Sequence, residues 1–285
     1  MSPVHGEAAQ SDPVQGDPVQ GDPVRADAVQ GDAADRNAAQ NDATQNPGAE
    51  EPMLGGARYR QSDAEVEPEG TVPDHDRERA DAARELGAAL RELVEAGVST
   101  ETDPATMRKV ADQARELVAP LTAATRTRHV APTVDQAKPG RRMYNPTVGT
   151  GNPIAPPMRV RVEDGVAIGT CTLGLAYEGP HSYTHGGVSA MLIDQILGHA
   201  NAAAGRPGMT VKLQLRYRKP VPLQTPLVLR AWVDDDAVSG RRTSPAATIT
   251  TEDDPDTVLV EAFGVFVTPT AEQARRIFGD NPPPD

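Results

Sequence analysis

The stretch Tyr183–Ala200, YTHGGVSAMLIDQILGHA, decides how this chain folds. A His-Gly-Gly opens it, apolar side chains fill most of the rest, and one carboxylate, Asp194, interrupts them. The run is too long for an ordinary strand and suits a helix of about five turns. A helix apolar on all sides belongs in the interior, so a sheet has to surround it.

The flanking sequence supplies that sheet. MRVRVEDGVAIGTCTLGLAY, residues 158–177, alternates about Glu163-Asp164-Gly165 and reads as a hairpin, because Asp-Gly between alternating runs is a strong turn signal. Four more strands are predicted at Met209–Arg218, Leu227–Val233, Ala246–Thr251 and Val258–Thr268. Short strands around one long helix give an α+β class, an antiparallel sheet wrapped around one long buried helix, over residues 141–270.

Upstream, residues 73–128 read as a helical hairpin. Leu86, Leu90, Leu93 and Val94 share a stripe on its first helix. After the cap candidate Asp103 and Pro104, the second carries Met107, Val110, Ala114, Leu117, Val118 and Leu121. These stripes call for a partner, either the downstream domain or another subunit. Residues 1–72 repeat a five-residue unit, QSDPV, QGDPV, QGDPV, then RADAV and QGDAA. Asp, Pro and Gly at that period match neither helix nor strand, and we expect a disordered acidic tail. Residues 271–285 are expected to form a C-terminal tail.

Charge and cysteine usage narrow the functional classes. Of the formal net charge of −13, residues 1–75 hold 15 acidic and 4 basic side chains, leaving 26 and 24 for the rest. The acidity therefore belongs to the tail, and no nucleic-acid partner is expected. Cys171 is the only cysteine, which rules out an internal disulfide framework and fits a reducing compartment. The first residues carry neither a basic leader nor an apolar core, and about 18 uninterrupted apolar residues occur nowhere. The expectation is a cytoplasmic protein with no membrane association.

Asp194 can be placed by helical geometry. Counted from Gly187 at about 100° per residue, it falls about 20° away, with Ala190, Met191 and Gly198 on the same face. These are mostly small side chains, and an unpaired carboxylate among them is costly. Two readings stand: the acid serves chemistry, or it pairs with a donor such as Tyr183 or His199. The glycines at the helix start leave backbone N–H groups open to a ligand at the positive end of the helix dipole. Those amides and an inward acid suit acyl-group hydrolysis, the amides polarising a carbonyl and Asp194 activating water or attacking directly.

YEGPHSYTHGGVSAMLIDQILG followed by GMTVKLQLRYRKPVPL resembles the PaaI-type hotdog thioesterases, including members that pair the helix Asp with a Thr. The likeness spans about Asn145 to Thr268 and leaves out the tail and the helical hairpin. It implies a hotdog fold and hydrolysis of acyl-coenzyme A by a dimer or tetramer, without metal or cofactor. By position it implies Asp194 as base or nucleophile, Gly186 and Gly187 as oxyanion amides, His185 as the residue shaping the turn, and Thr210 as a water-positioning hydroxyl. Strand parity reads Thr210 differently: Met209, Val211, Leu213 and Leu215 make one face, which puts Thr210 with Lys212, Gln214 and Arg216 on the other, toward a subunit interface or solvent.

Other residues have plainer readings beside the functional ones. Arg216, Arg218 and Lys219 suit coenzyme A phosphates and equally suit a solvated edge. His181 and His185 have a metal-like spacing without a third ligand, and Cys171 reads as packing. A non-catalytic acyl-CoA-binding protein and an enoyl-CoA hydratase on the same fold remain as alternatives. The hydratase needs a second acid-base group that the sequence does not supply near Asp194.

Overall fold

The computed structural model describes residues 74–127, 130–136 and 142–278. The acidic repeat of residues 1–72 lies outside them. Four helices come first: α1 (Asp74–Ser99), α2 (Pro104–Glu116), α3 (Val118–Thr122) and α4 (Thr133–Gln136). The strands β1 (Arg159–Glu163) and β2 (Val166–Thr172) precede the long helix α5 (Gly186–Ala203). After it come β3 (Met209–Tyr217), β4 (Pro226–Trp232), β5 (Val238–Ser239), β6 (Arg242–Thr243), β7 (Ala246–Thr251), β8 (Val260–Val267) and α6 (Ala271–Phe278).

Asp164 and Gly165 both take positive φ, 49° and 79°, which makes the two-residue turn that closes the β1–β2 hairpin. All strand pairs are antiparallel, in the order β1-β2-β4-β7-β8. β3 lies on β8, and the small β5–β6 hairpin pairs with the end of β8. Among the described residues β3 pairs with no other strand, so its outer edge is free.

α5 packs on β1, β2, β3, β4, β7 and β8, and the sheet curves round it. Leu192, Ile193, Ile196 and Leu197 are fully buried against a core that includes Leu227, Leu229, Ile249, Val260 and Ala262. Fully burying each such side chain is worth about 1.5–3 kcal/mol, which fixes the rotation of the helix. That rotation leaves the opposite flank uncovered by the chain itself: Ala190, Met191, Asp194 and Gly198 are only half-buried.

β3 corrects the parity reading of Thr210. Thr210 pairs with Phe266 and Lys212 with Val265, so Val211 is an inserted residue and the strand carries a bulge there. A bulge exchanges the faces of everything beyond it. Thr210 sits opposite the buried Phe266 and faces α5, as do Leu213 and Leu215 after the bulge, while Lys212, Gln214 and Arg216 point outward.

The helical hairpin departs from expectation in how it docks. Asp103 caps α2 as anticipated, its Oδ1 accepting from the Ala105 and Thr106 amides at 2.9 and 3.1 Å. Yet no residue of α2 is buried, and Leu86, Leu93 and Val94 of α1 are exposed. α1 meets the body through another stripe, containing Ala80, Gly87, Arg91 and Glu95. Residues 271–278, expected as tail, form α6. Thr270 and Gln273 bond each other's backbone amides at 3.2 and 3.0 Å, a capping box at its start.

Candidate functional site

His185 is the N-cap of α5, held in place from two sides. Its backbone N–H donates to the Tyr177 carbonyl at 2.9 Å, and its Nδ1 accepts from the Gly187 N–H at 3.0 Å. The second bond requires Nδ1 to carry no proton, which assigns the Nε2–H tautomer. It also occupies the Gly187 amide. The Val188 and Ser189 amides turn back to the His185 carbonyl, so Gly186 is left with an N–H that no acceptor meets among the described residues. The Tyr217 hydroxyl donates to the Gly186 carbonyl at 2.7 Å, tying the end of β3 to the first turn of the helix. A Cβ added at Gly186 would lie 3.4 Å from that hydroxyl, in ordinary contact.

Two turns further along α5, Asp194 receives the Thr210 hydroxyl on Oδ1 at 2.8 Å. The Tyr183 N–H goes to Pro180, while His199 Nε2 lies 3.2 Å from Gln195 Nε2. Burial pulls the His199 ring down to about 4, so it is neutral near pH 7. Gln195, next to Asp194, accepts from Asn145 Nδ2 at 2.9 Å and so ties the 143–157 loop to the helix. Asn145 and Gln195 carry neither a charge nor a motif, so nothing in the sequence marks them.

The basic residues at the end of β3 sit elsewhere. Arg218 pairs with Glu261 at 2.6 Å and Arg216 approaches the same carboxylate at 3.6 Å, on the outer face of the sheet. Hydrogen bonding and charge from these guanidiniums hold the Glu261 carboxyl below its ordinary value. Lys219 is exposed beyond them, without an ion pair among the described residues. His181 is exposed and lies 3.6 Å from Glu178, and no His, Cys, Asp or Glu cluster fit for a metal forms among the described residues. Cys171 packs beside the core, where burial pushes its thiol up to about 12. No described helix is long and apolar enough to cross a membrane.

The family model of the thioesterase superfamily matches residues 181–236, which hold the helix and both members of the Asp194–Thr210 pair. Along most of its length the chain also follows a crystal structure of a thioesterase superfamily protein, at 34% identity and a TM-score of 0.54, covering 71% of this chain and 97% of that one. The chain belongs to the thioesterase superfamily. The share covered in that comparison exceeds what residues 141–270 can supply, so the likeness reaches beyond the sheet and its helix. Acyl-coenzyme A thioesterase THEM4 of Mus musculus is 31% identical over 94 residues, which are 33% of this chain and 39% of that relative's length. The Escherichia coli PaaI protein from the phenylacetic acid degradation operon is 17% identical, with a TM-score of 0.36 over 39% of this chain and 83% of that one. This thioesterase superfamily member thus has the antiparallel sheet and enclosed helix of the hotdog fold.

Proposed function

We propose that this chain is a cytoplasmic acyl-coenzyme A thioesterase whose domain spans residues 141–270, with residues 73–128 as an appended helical hairpin. The contact that carries the reading is the 2.8 Å bond from Thr210 to Asp194, formed on the flank of α5 that the chain leaves uncovered. Superfamily membership supports thioester chemistry, and a carboxylate with one oxygen held by a hydroxyl keeps its second oxygen for water.

In this mechanism the thioester carbonyl oxygen accepts from the Gly186 N–H, at the positive end of α5. Asp194 takes a proton from a water held by Thr210, and the resulting hydroxide adds to the carbonyl carbon. The tetrahedral oxyanion collapses, the carbon–sulfur bond breaks, and the leaving sulfur takes the proton held on Asp194, which restores the carboxylate. His185 keeps the turn in shape by engaging the Gly187 amide. The exposed Arg216, Arg218 and Lys219 offer charge for the coenzyme A phosphates, Lys219 most freely because Glu261 engages the two arginines.

Gly186 and Asp194 are eight residues apart, about 12 Å along a regular helix, too far for one carbonyl to touch both. The reading therefore includes a dimer in which the amide of one protomer serves the carboxylate of its partner, and the free edge of β3 is available for pairing. Thiol release from a panel of acyl-CoAs tests the reading. Asp194→Asn should lower turnover about a hundredfold or more, since a general base contributes about 10²–10⁴. Unchanged turnover would refute it.

A further inference from the structure

α1 lies outside the residues that match the family model, yet its docking stripe leads to both ends of the candidate site. Gly87, Arg91 and Glu95 follow at intervals of four and so face the same way. At Gly87 the helix backbone runs against the 149–151 loop: an added Cβ would come within 2.7 Å of Gly151 Cα. One turn on, Arg91 Nη1 donates to the carbonyls of Thr150 and Asn152 at 2.8 and 2.9 Å. A further turn on, the two oxygens of Glu95 accept from the Leu175 and Ala176 amides at 2.8 and 3.1 Å, capping the short helical turn Leu175–Tyr177. Gly174 makes the space, because a Cβ there would lie 2.7 Å from Glu95 Cδ.

Each contact continues into α5. The turn capped by Glu95 ends at Tyr177, whose carbonyl accepts the His185 N–H. The loop gripped by Arg91 contains Asn145, whose side chain bonds Gln195 beside Asp194. The Tyr177 hydroxyl donates to the Ile154 carbonyl at 3.1 Å and joins the two routes.

We propose that α1 is a strut in which Glu95 and Arg91 are positioning residues, setting the placement of the His185–Gly186 turn relative to Asp194 without touching substrate. The proposal rests on the thioesterase reading for its kinetic consequence. Displacing a reacting group by about 1 Å can cost about a hundredfold in rate, and a turn without its cap leaves the Leu175 and Ala176 amides without the acceptor that holds them.

The test uses the full-length chain. Glu95→Ala removes both acceptors, Glu95→Gln keeps one, and Gly174→Ala pushes the carboxylate away without changing a charge. For an acyl-CoA that Asp194→Asn fails to hydrolyse, Glu95→Ala and Gly174→Ala should lower kcat about tenfold while KM stays within about twofold. Glu95→Gln should recover part of the loss. Amide exchange read in the same variants should rise at His185 and at Leu175–Tyr177, with β2 and β4 unchanged. If Glu95→Ala exposes the whole sheet to exchange, Glu95→Gln and Gly174→Ala carry the comparison. Wild-type kcat together with unchanged exchange at His185 in the variants that keep the sheet protected overturns the strut. If instead no acyl-CoA is hydrolysed, the functional reading fails by itself, and the exchange at His185 alone decides whether α1 holds the turn.

Discussion

The Thr210 hydroxyl donates to Asp194 across the gap between an edge strand and the central helix, at 2.8 Å. Two consecutive elements, joined only by residues 204–208, thus meet at one carboxylate oxygen. A hydrogen bond to a charged acceptor is worth about 1.5–3 kcal/mol, enough to choose one rotamer of the acid. Thr210→Val keeps the shape and removes the donor. It should lower kcat about tenfold, less than Asp194→Asn. Equal losses in the two variants would mean that the hydroxyl is as necessary as the carboxylate.

Much of this arrangement is legible in the sequence, and the misreadings have particular causes. The apolar run at α5, the Asp164-Gly165 turn and the four later strands carry strong periodic or turn signals; the four strands lie within two residues of where those signals put them, and α5 opens at the His-Gly-Gly and ends three residues past Ala200. Strand parity alone puts Thr210 on the wrong face, because a single inserted residue, Val211, has no compositional mark. The face by which α1 docks carries no apolar signal, while Leu86 and Leu93 stay exposed on the single chain. Small residues at Ala80 and Gly87 let backbones approach, and Arg91 and Glu95 satisfy loop amides and carbonyls. Thr270 and Gln273 stand at capping-box spacing in the sequence, which marks the start of α6.

Cys171 should be inert in the folded protein. Thiolate is the reactive form, and with the thiol pushed up to about 12 its population at pH 8 is about a thousandfold below that of an ordinary cysteine. Labelling by an aromatic disulfide should be slow in buffer and become fast in concentrated urea. Stoichiometric labelling within seconds under native conditions would contradict the burial of this strand.

His199 ties stability to pH. Its folded value, about 4, lies below the ordinary 6.5, so the unfolded chain binds the proton more readily. Stability contributed by the neutral ring is complete above about pH 6.5 and is lost as pH falls toward 4. Between pH 7 and pH 5 the loss attributable to this residue is about 2 kcal/mol. Urea midpoints of wild type and His199→Gln at both pH values should show the wild type losing more. Parallel losses would place the proton elsewhere.

The dimeric site makes a prediction that no single variant can. Gly186→Pro removes only the N–H. Proline is at home in the first helical turn, and His185, at φ −59° and ψ 132°, already has the extended conformation that a residue before proline needs. Asp194→Asn removes only the base. Each homodimer should be nearly inactive, because every site lacks one half of its machinery. When equal amounts exchange subunits at random, half the dimers are mixed. In a site shared across the two-fold axis, each mixed dimer holds one intact amide-carboxylate pair and one pair damaged twice. Activity should therefore recover to about a quarter of wild type. In a site built within one chain every pair keeps its defect, and mixing recovers nothing. With exchange confirmed by differently tagged subunits, the absence of recovery would rule out the shared site and require a base nearer to Gly186 on its own helix.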